Sequence, residues 1–331
     1  MNPPPDLAAL RQTSARLGAD PLLVQGAGGN TSVKQGDAMW IKASGAWLAD
    51  ALTQEMFVAA DWRALRAAVE RDDPQADQPA AFALSTEGLR PSIETCLHAL
   101  FHQRIVLHVH CVSTLALATR RAPRALLARR LSGFDWTYVD YAKPGAQLAT
   151  KVRAALRPET NVVVLGNHGL LVAGDDPAAA EARVLAVSTA LAAPLAPALA
   201  PDFTKLARLA GGGFEPAPEG HPLHQVALRP FALAAATRGS LYPDHVVFCG
   251  PGAVAANPGD KAAVGRPFLL APGAGAWLAN AAGAGPLAMA RCLGDVFARV
   301  PDGAELTYLS DDETAELLDW DAEKYRRALH V

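Results

Sequence analysis

Three histidines carry the spacing of a metal centre: His108 and His110 as an H-x-H pair, and His168 inside Gly166-Asn167-His168-Gly169. Imidazole is a ligand for Zn²⁺ and other divalent ions, and three of them leave such an ion one open position for substrate. An open position implies chemistry, whereas a closed four-ligand set usually implies structure alone. A lone H-x-H is as readily a pair of hydrogen-bonded histidines at a strand end. Glu94, in Pro91-Ser92-Ile93-Glu94, is a carboxylate able to exchange a proton beside an ion, though it is equally a plain first-turn glutamate.

The elements that position these groups read as strands and one short helix. Ile105-Val106-Leu107-His108-Val109-His110 and Val162-Val163-Val164-Leu165-Gly166-Asn167-His168 are apolar runs of buried-strand type. On a strand, residues i and i+2 project to one face, so His108 and His110 can bind one ion together. Cys111 projects to the other face and is not counted as a ligand. Pro91-Ser92 opens a helix to about residue 103 with Ser92 as its N-cap, which places Glu94 near the favourable end of the dipole. His98 follows one turn after Glu94 and His102 one turn further. We read His98 as a supporting or core histidine and His102 as exposed.

Half of the 331 residues are hydrophobic, and 30 basic against 33 acidic residues give a formal net charge of −3. That balance lacks the electrostatic footprint of a nucleic-acid or anionic-membrane partner. No apolar run reaches the length of about 18 residues needed to span a bilayer, and Met1-Asn2-Pro3-Pro4-Pro5 lacks a signal-peptide core. The cysteines (Cys96, Cys111, Cys249, Cys292) are scattered without a C-x-x-C pair, which fits a reduced, cytoplasmic protein.

Residues 7–17 read as an opening helix with Asp6 as N-cap. A glycine-rich turn, Gln25-Gly26-Ala27-Gly28-Gly29-Asn30, then enters a strand. It is not a dinucleotide fingerprint, because it leads into a strand and Thr31 stands where the third glycine would be. A second strand over 39–42 ends in Ala43-Ser44-Gly45. Helical periodicity covers 53–71, a helical stretch and the segment 136–141 separate the two histidine strands, and a strand over 169–173 turns into a helix from Pro177 to about 192. The expected division is a catalytic domain over 1–192, a Pro/Ala linker over 193–202 and a smaller α/β module over 203–331, ending in a helix near 314–329. That module holds an echo: Pro272-Gly273-Ala274-Gly275-Ala276-Trp277-Leu278-Ala279-Asn280 parallels Gly166–Gly174, with Ala274 in the histidine slot. A decayed duplication and a chance likeness of Gly/Ala-rich turns are both open at this point.

Gly29-Asn30-Thr31-Ser32, Ala43-Ser44-Gly45, Pro91-Ser92-Ile93-Glu94, His108-Val109-His110 and Gly166-Asn167-His168-Gly169, in that order, resemble the class II aldolase/adducin family. Residues 20–190 look most like the aldolase half of rhamnulose-phosphate aldolase/alcohol dehydrogenase fusions. Lys42-Ala43-Ser44-Gly45, Trp47-Leu48-Ala49-Asp50-Ala51, Leu241-Tyr242-Pro243-Asp244-His245 and Asp319-Trp320-Asp321-Ala322-Glu323-Lys324-Tyr325 also fit that branch. No dehydrogenase half is expected after Val331. The resemblance implies a three-layer α/β/α sandwich with a central, mainly antiparallel sheet, and a homo-oligomer. It implies His108, His110 and His168 as ligands of a divalent metal, Zn²⁺ foremost, and Glu94 as catalytic acid/base. It also implies Gly28, Gly29, Asn30, Ser44, Gly45 and Ser92 as the phosphate site of a small sugar phosphate or sugar acid. Ile93 departs from the fuculose-phosphate aldolases, which carry a second serine there. Lys42 or Arg90 can compensate, or either is a surface charge.

The activity so implied is a metal-dependent aldehyde-lyase that reversibly cleaves a C–C bond of a ketose phosphate or related sugar acid. Its metal would stabilise an enediolate. The same site serves a 4-epimerase or a dehydratase, and a metal-free adducin-like scaffold is the non-enzymatic alternative. A Schiff-base aldolase using Lys42 is a further one. Tyr138 and Tyr141 are candidates for the general acid.

Overall fold

The computed structural model describes residues 3–85 and 88–329, so Met1, Asn2 and Val331 lie outside it. The chain divides into two compact units: Met1–Thr114 with Arg124–Leu191, and Leu115–Pro123 with Ala192–Val331.

In the first unit the elements run α1 (Leu7–Ala19), β1 (Asn30–Gln35), β2 (Ala38–Lys42), β3 (Phe57–Asp61), α2 (Trp62–Glu70) and α3 (Thr95–Leu100). They continue with β4 (Ile105–Val109), α4 (Val112–Ala118, which runs on into the second unit), α5 (Arg124–Arg130), β5 (Trp136–Val139), α6 (Ala146–Ala155), β6 (Val162–Leu165), β7 (Gly169–Gly174) and α7 (Pro177–Leu191). The strands form one seven-stranded sheet in the order β3-β2-β1-β4-β7-β6-β5. Every pair is antiparallel except β5–β6. β4 and β7 are central and buried on both faces, which is why their sequences, His108 apart, are apolar instead of alternating. On one face Val106, Val163, Leu165, Leu171 and Ala173 pack with Leu65 and Val69 of α2, Leu97 and Leu100 of α3, and Leu148 and Val152 of α6. α1 and α7 cover the other face, where Cys111 Sγ meets Ser188 Oγ at 3.4 Å. The α/β fold with a mainly antiparallel sheet is as the sequence implies.

Local boundaries differ from the sequence reading in four places. The helix expected over 53–71 starts only at Trp62, because Phe57–Asp61 pairs with β2 and buries alternate residues; the Asp61 carboxylate then caps it at Ala64 N. The helix expected from Ser92 is confined to Thr95–Leu100. Ser92 Oγ accepts from Glu94 N at 3.3 Å within a turn, and extended Phe101 redirects the chain into β4. Asp6 pairs with Arg104 instead of capping α1. The tail forms two helices, Asp311–Asp319 and Asp321–Ala328, broken at extended Trp320; a Ser310/Glu313 capping box starts the first.

The second unit contains α8 (Phe203–Leu209), β8 (Phe214–Pro216), α9 (Leu223–Leu228), α10 (Pro230–Arg238), α11 (Pro243–Cys249), β9 (Phe268–Ala271), β10 (Gly275–Ala279), α12 (Ala284–Phe297), α13 (Asp311–Asp319) and α14 (Asp321–Ala328). Its three strands lie in the order β8-β10-β9. A buried ion cluster ties α14 to α11: Arg326 donates to both oxygens of Asp244 at 2.8 and 2.9 Å and to Glu323 at 3.3 Å. Two segments singled out in the sequence, Leu241–His245 and 319–325, meet in this cluster. Among the described residues no helix is long and apolar enough to cross a membrane.

Candidate metal centre

β4 delivers His108, and His110 follows one residue past its end. His168 closes the three-residue turn between β6 and β7, where Leu165 pairs with Gly169. That turn needs a left-handed residue, and Asn167 supplies it at φ 55. Gly169 lets the hairpin approach: a Cβ there would stand 2.6 Å from Val109 O and 3.2 Å from His110 Cδ2. The two histidine strands are adjacent, with His108 opposite Leu171.

The three rings converge. One ligand nitrogen from each of His108, His110 and His168 lies within 4.8 Å of the others, and all three side chains are buried. His108 Nε2 is 3.1 Å from His110 Nε2. Glu94 bridges the group: Oε2 is 3.3 Å from His108 Nε2, and Oε1 is 3.2 Å from His168 Nε2. Ligands about 2.0–2.1 Å from a tetrahedral ion stand about 3.3 Å apart, so these separations fit three nitrogens and a carboxylate around one small ion. His108 Nδ1 lies 3.1 Å from Leu170 O, which as acceptor fixes the proton on Nδ1 and turns the Nε2 lone pair toward the group. The residues present therefore fit a divalent metal ion.

Burial opposes charge on Glu94, but the neighbouring His108, His168 and His110 rings and the Asn30 amide outweigh it and bring the carboxyl down to about 2. Glu94 is thus an anion with its oxygens among the ring nitrogens. A polar stripe on β1 holds its helix in place. Asn30 Nδ2 donates to Glu94 Oε2 at 2.9 Å and to Ser92 Oγ at 3.2 Å, and Ser32 Oγ meets His98 Nδ1 at 2.7 Å. Lys34 Nζ donates to the carbonyls of Phe101 and Gln103 just past α3. His98 is therefore a buried support on α3 itself, and His102 is exposed, as the sequence implies.

The expected phosphate residues form loops around one buried cation. Lys42 Nζ donates to Ala27 O at 2.9 Å and Ala46 O at 2.6 Å, so it ties the Gly28-Gly29 turn to the Ser44-Gly45 loop. Lys42 is fully buried, which overturns its reading as a surface charge. The amides of Gly28, Ser44 and Ser92 donate to Gln25, Arg90 and Lys42 carbonyls. Gly29 needs its φ of +63, and a Cβ there would lie 2.7 Å from His108 O, so this turn passes directly over the end of β4.

Tyr138 Oη packs against Gly166, where a Cβ would come within 2.5 Å of it. Burial first, and Asp140 second, push the phenol up to about 12 against the opposing Arg124 cation. Asn30, Ser32 and Lys34 alternate along β1. That alternation puts the three on one face of β1, but only the pairing of β1 with β4 brings that face to Glu94 and His98.

Residues 8–194 match the class II aldolase and adducin N-terminal domain, more than half of the chain, and the chain belongs to this family. It is 26% identical over 187 residues to the uncharacterized oxidoreductase YuxG of Bacillus subtilis (strain 168), a match covering 52% of this chain and 27% of that protein. The chain thus spans only a minor part of that relative's length. Among solved structures it is similar to the N-terminal class II aldolase domain of a conserved protein from Thermoplasma acidophilum. That match has 27% identity and a TM-score of 0.51, covering 58% of this chain and 94% of that one. It is also similar to L-fuculose-1-phosphate aldolase from Thermus thermophilus, at 20% identity and a TM-score of 0.39, covering 56% of this chain and 90% of that one.

Proposed function

We propose that this protein is a metal-dependent aldolase of the branch found in rhamnulose-phosphate aldolase/alcohol dehydrogenase fusions. Its reaction is reversible cleavage of a C–C bond in a ketose phosphate or related sugar acid. The observation that carries the reading is the convergence of His108, His110 and His168 on one point with the Glu94 carboxylate between them.

His108, His110 and His168 would hold a divalent ion, Zn²⁺ foremost, which supplies the Lewis acidity that lets negative charge build on substrate oxygens. Glu94 sits where substrate oxygens must enter. Once displaced, its Oε1 and Oε2 are placed to take up a proton from the substrate hydroxyl and return it. Asn30, bonded to Glu94, orients the carboxylate. The Gly29 and Gly45 amides and the Ser44 and Ser92 hydroxyls are the donors for the phosphate or carboxylate end, while Gly28 and Asn30 shape that turn. Lys42, buried beneath both loops, adds positive potential and a rigid floor. With Nζ bonded to two carbonyls, it is a strut, which disfavours a Schiff-base role.

The test is release of dihydroxyacetone phosphate or pyruvate from a panel of ketose phosphates and aldonates, by wild-type protein, EDTA-treated protein and His110→Ala. The proposal expects cleavage that EDTA abolishes, zinc restores and His110→Ala lacks. Bound zinc with epimerised or dehydrated product would reassign the reaction, and cleavage that survives EDTA would overturn the metal mechanism.

A further inference from the structure

The second unit repeats one edge of the first unit's sheet: β8, β10 and β9, with a bridge at Ala255, follow the order of β4, β7, β6 and β5. β6 and β7 form a hairpin in which Leu165 pairs with Gly169; β9 and β10 form one in which Ala271 pairs with Gly275. Both turns hold three residues, with a left-handed middle residue, Asn167 at φ 55 and Gly273 at φ 68. Both close on the same bond, His168 N to Leu165 O and Ala274 N to Ala271 O. On one side each hairpin has a parallel neighbour in the same register, Tyr138 beside Val164 and Ala255 beside Leu270. On the other side each has an antiparallel strand, β4 beside β7 and β8 beside β10. The bond Ala173 N to Asn161 O, 2.8 Å, recurs as Ala279 N to Pro267 O, 2.8 Å. An Ala-rich helix follows each hairpin, α7 and α12. Chance likeness of one Gly/Ala-rich turn does not also reproduce a parallel neighbour at the same position on one side and an antiparallel strand on the other.

That register assigns positions. His108 lies opposite Leu171, and the matching residue, opposite Trp277, is Pro216. His110 then corresponds to Pro218, and His168 to Ala274. None of the three is a ligand. At this place His224, from α9, enters instead. It is 1% exposed; Nδ1 accepts from Ala276 N at 3.1 Å, and Nε2 donates to Ala217 O at 3.1 Å and Pro218 O at 3.2 Å. Gly275, like Gly169, has no room for a Cβ: one here would lie 2.6 Å from His224 Nδ1, where at Gly169 the Val109 carbonyl stands in the way.

We infer that the second unit is a copy of the metal-binding half-sheet whose three ligand positions have become Pro216, Pro218 and Ala274. In it the His224 ring pins together, by hydrogen bonds, the two strand ends that an ion joins in the original. Among the described residues there is then one metal centre. This count rests on the metal reading of the first unit; the His224 pin does not.

Equilibrium dialysis of the full chain against zinc, with thermal melts, tests the inference. Wild type should hold one equivalent, and His108→Ala/His110→Ala/His168→Ala none. His224→Ala should keep its one equivalent while the melting temperature falls by about 4–8 °C, as expected for two buried hydrogen bonds. A second equivalent in wild type that His224→Ala removes would overturn the inference, because the copy would then bind metal itself. A wild type without zinc would overturn the metal centre of the first unit instead. In that case an unchanged melting temperature in His224→Ala would overturn the pin.

Discussion

Asn30 Nδ2 lies 2.9 Å from Glu94 Oε2, and the same residue stands directly opposite His108 in the β1–β4 pairing. One position of a buried strand therefore contacts both the Glu94 carboxylate and the strand that carries His108. The Asn30 amide is the neutral donor that holds Glu94 without adding charge.

Replacing that donor should act through Glu94. In Asn30→Ala the carboxylate loses a hydrogen bond of the charged type, worth about 1.5–3 kcal/mol, so turnover should fall about 10- to 100-fold. Zinc content should be unchanged. Steady-state kinetics with metal analysis checks this, and loss of zinc would make Asn30 a support of the metal site.

Glu94→Gln keeps the shape and removes the base. Turnover should drop by roughly 10²–10⁴-fold with metal retained. Full activity in this variant would remove Glu94 from the mechanism.

Lys34 gives a pH dependence whose sign follows from burial. Burial, with a lesser push from Arg66 and an opposing pull from Asp175, lowers the Lys34 ammonium from 10.5 to about 7. Between about pH 7 and 10.5 the unfolded chain holds a proton there that the folded chain has released. This group's share of stability therefore rises with pH across that window, by at most about 1.4 kcal/mol per unit, and is flat below it. Lys34→Met should remove this slope. Chemical denaturation of both proteins at pH 6–9 measures the difference, and parallel profiles would contradict it.

Arg326 holds two carboxylates in the second unit, so removing it leaves Asp244 and Glu323 buried without their cation. Arg326→Leu should destabilise by about 3–5 kcal/mol, read by denaturant melts. Asp244→Asn, with Glu323 still facing the arginine, should cost less.

Much of the site is legible in the sequence because strand geometry is regular. H-x-H on an apolar run places two rings on one face, whereas His168, read at the end of a strand run, sits in the turn after β6 ends at Leu165. The partners of Glu94 are less visible, since Asn30, Ser32 and Lys34 sit next to α3 only through tertiary pairing of β1 with β4. Helical periodicity over 53–71 hides β3, because a strand that buries alternate residues and a following amphipathic helix share apolar positions. Lys42 misleads for a similar reason: a lysine in a loop-flanked strand gives no sign that its ammonium will meet two backbone carbonyls. The copy in the second unit shows in the sequence at one turn only. Its extent emerges from the pairing of β8, β9, β10 and Ala255.

In the proposed reading the rings of His108, His110 and His168 share one ion. A crystal of the zinc-loaded protein, measured at the zinc absorption edge, tests it most directly. A single anomalous peak about 2.0–2.2 Å from the Nε2 atoms of His108, His110 and His168 is the expected result. No peak at that point, or an ion held by Glu94 and His98 without His168, would contradict the account.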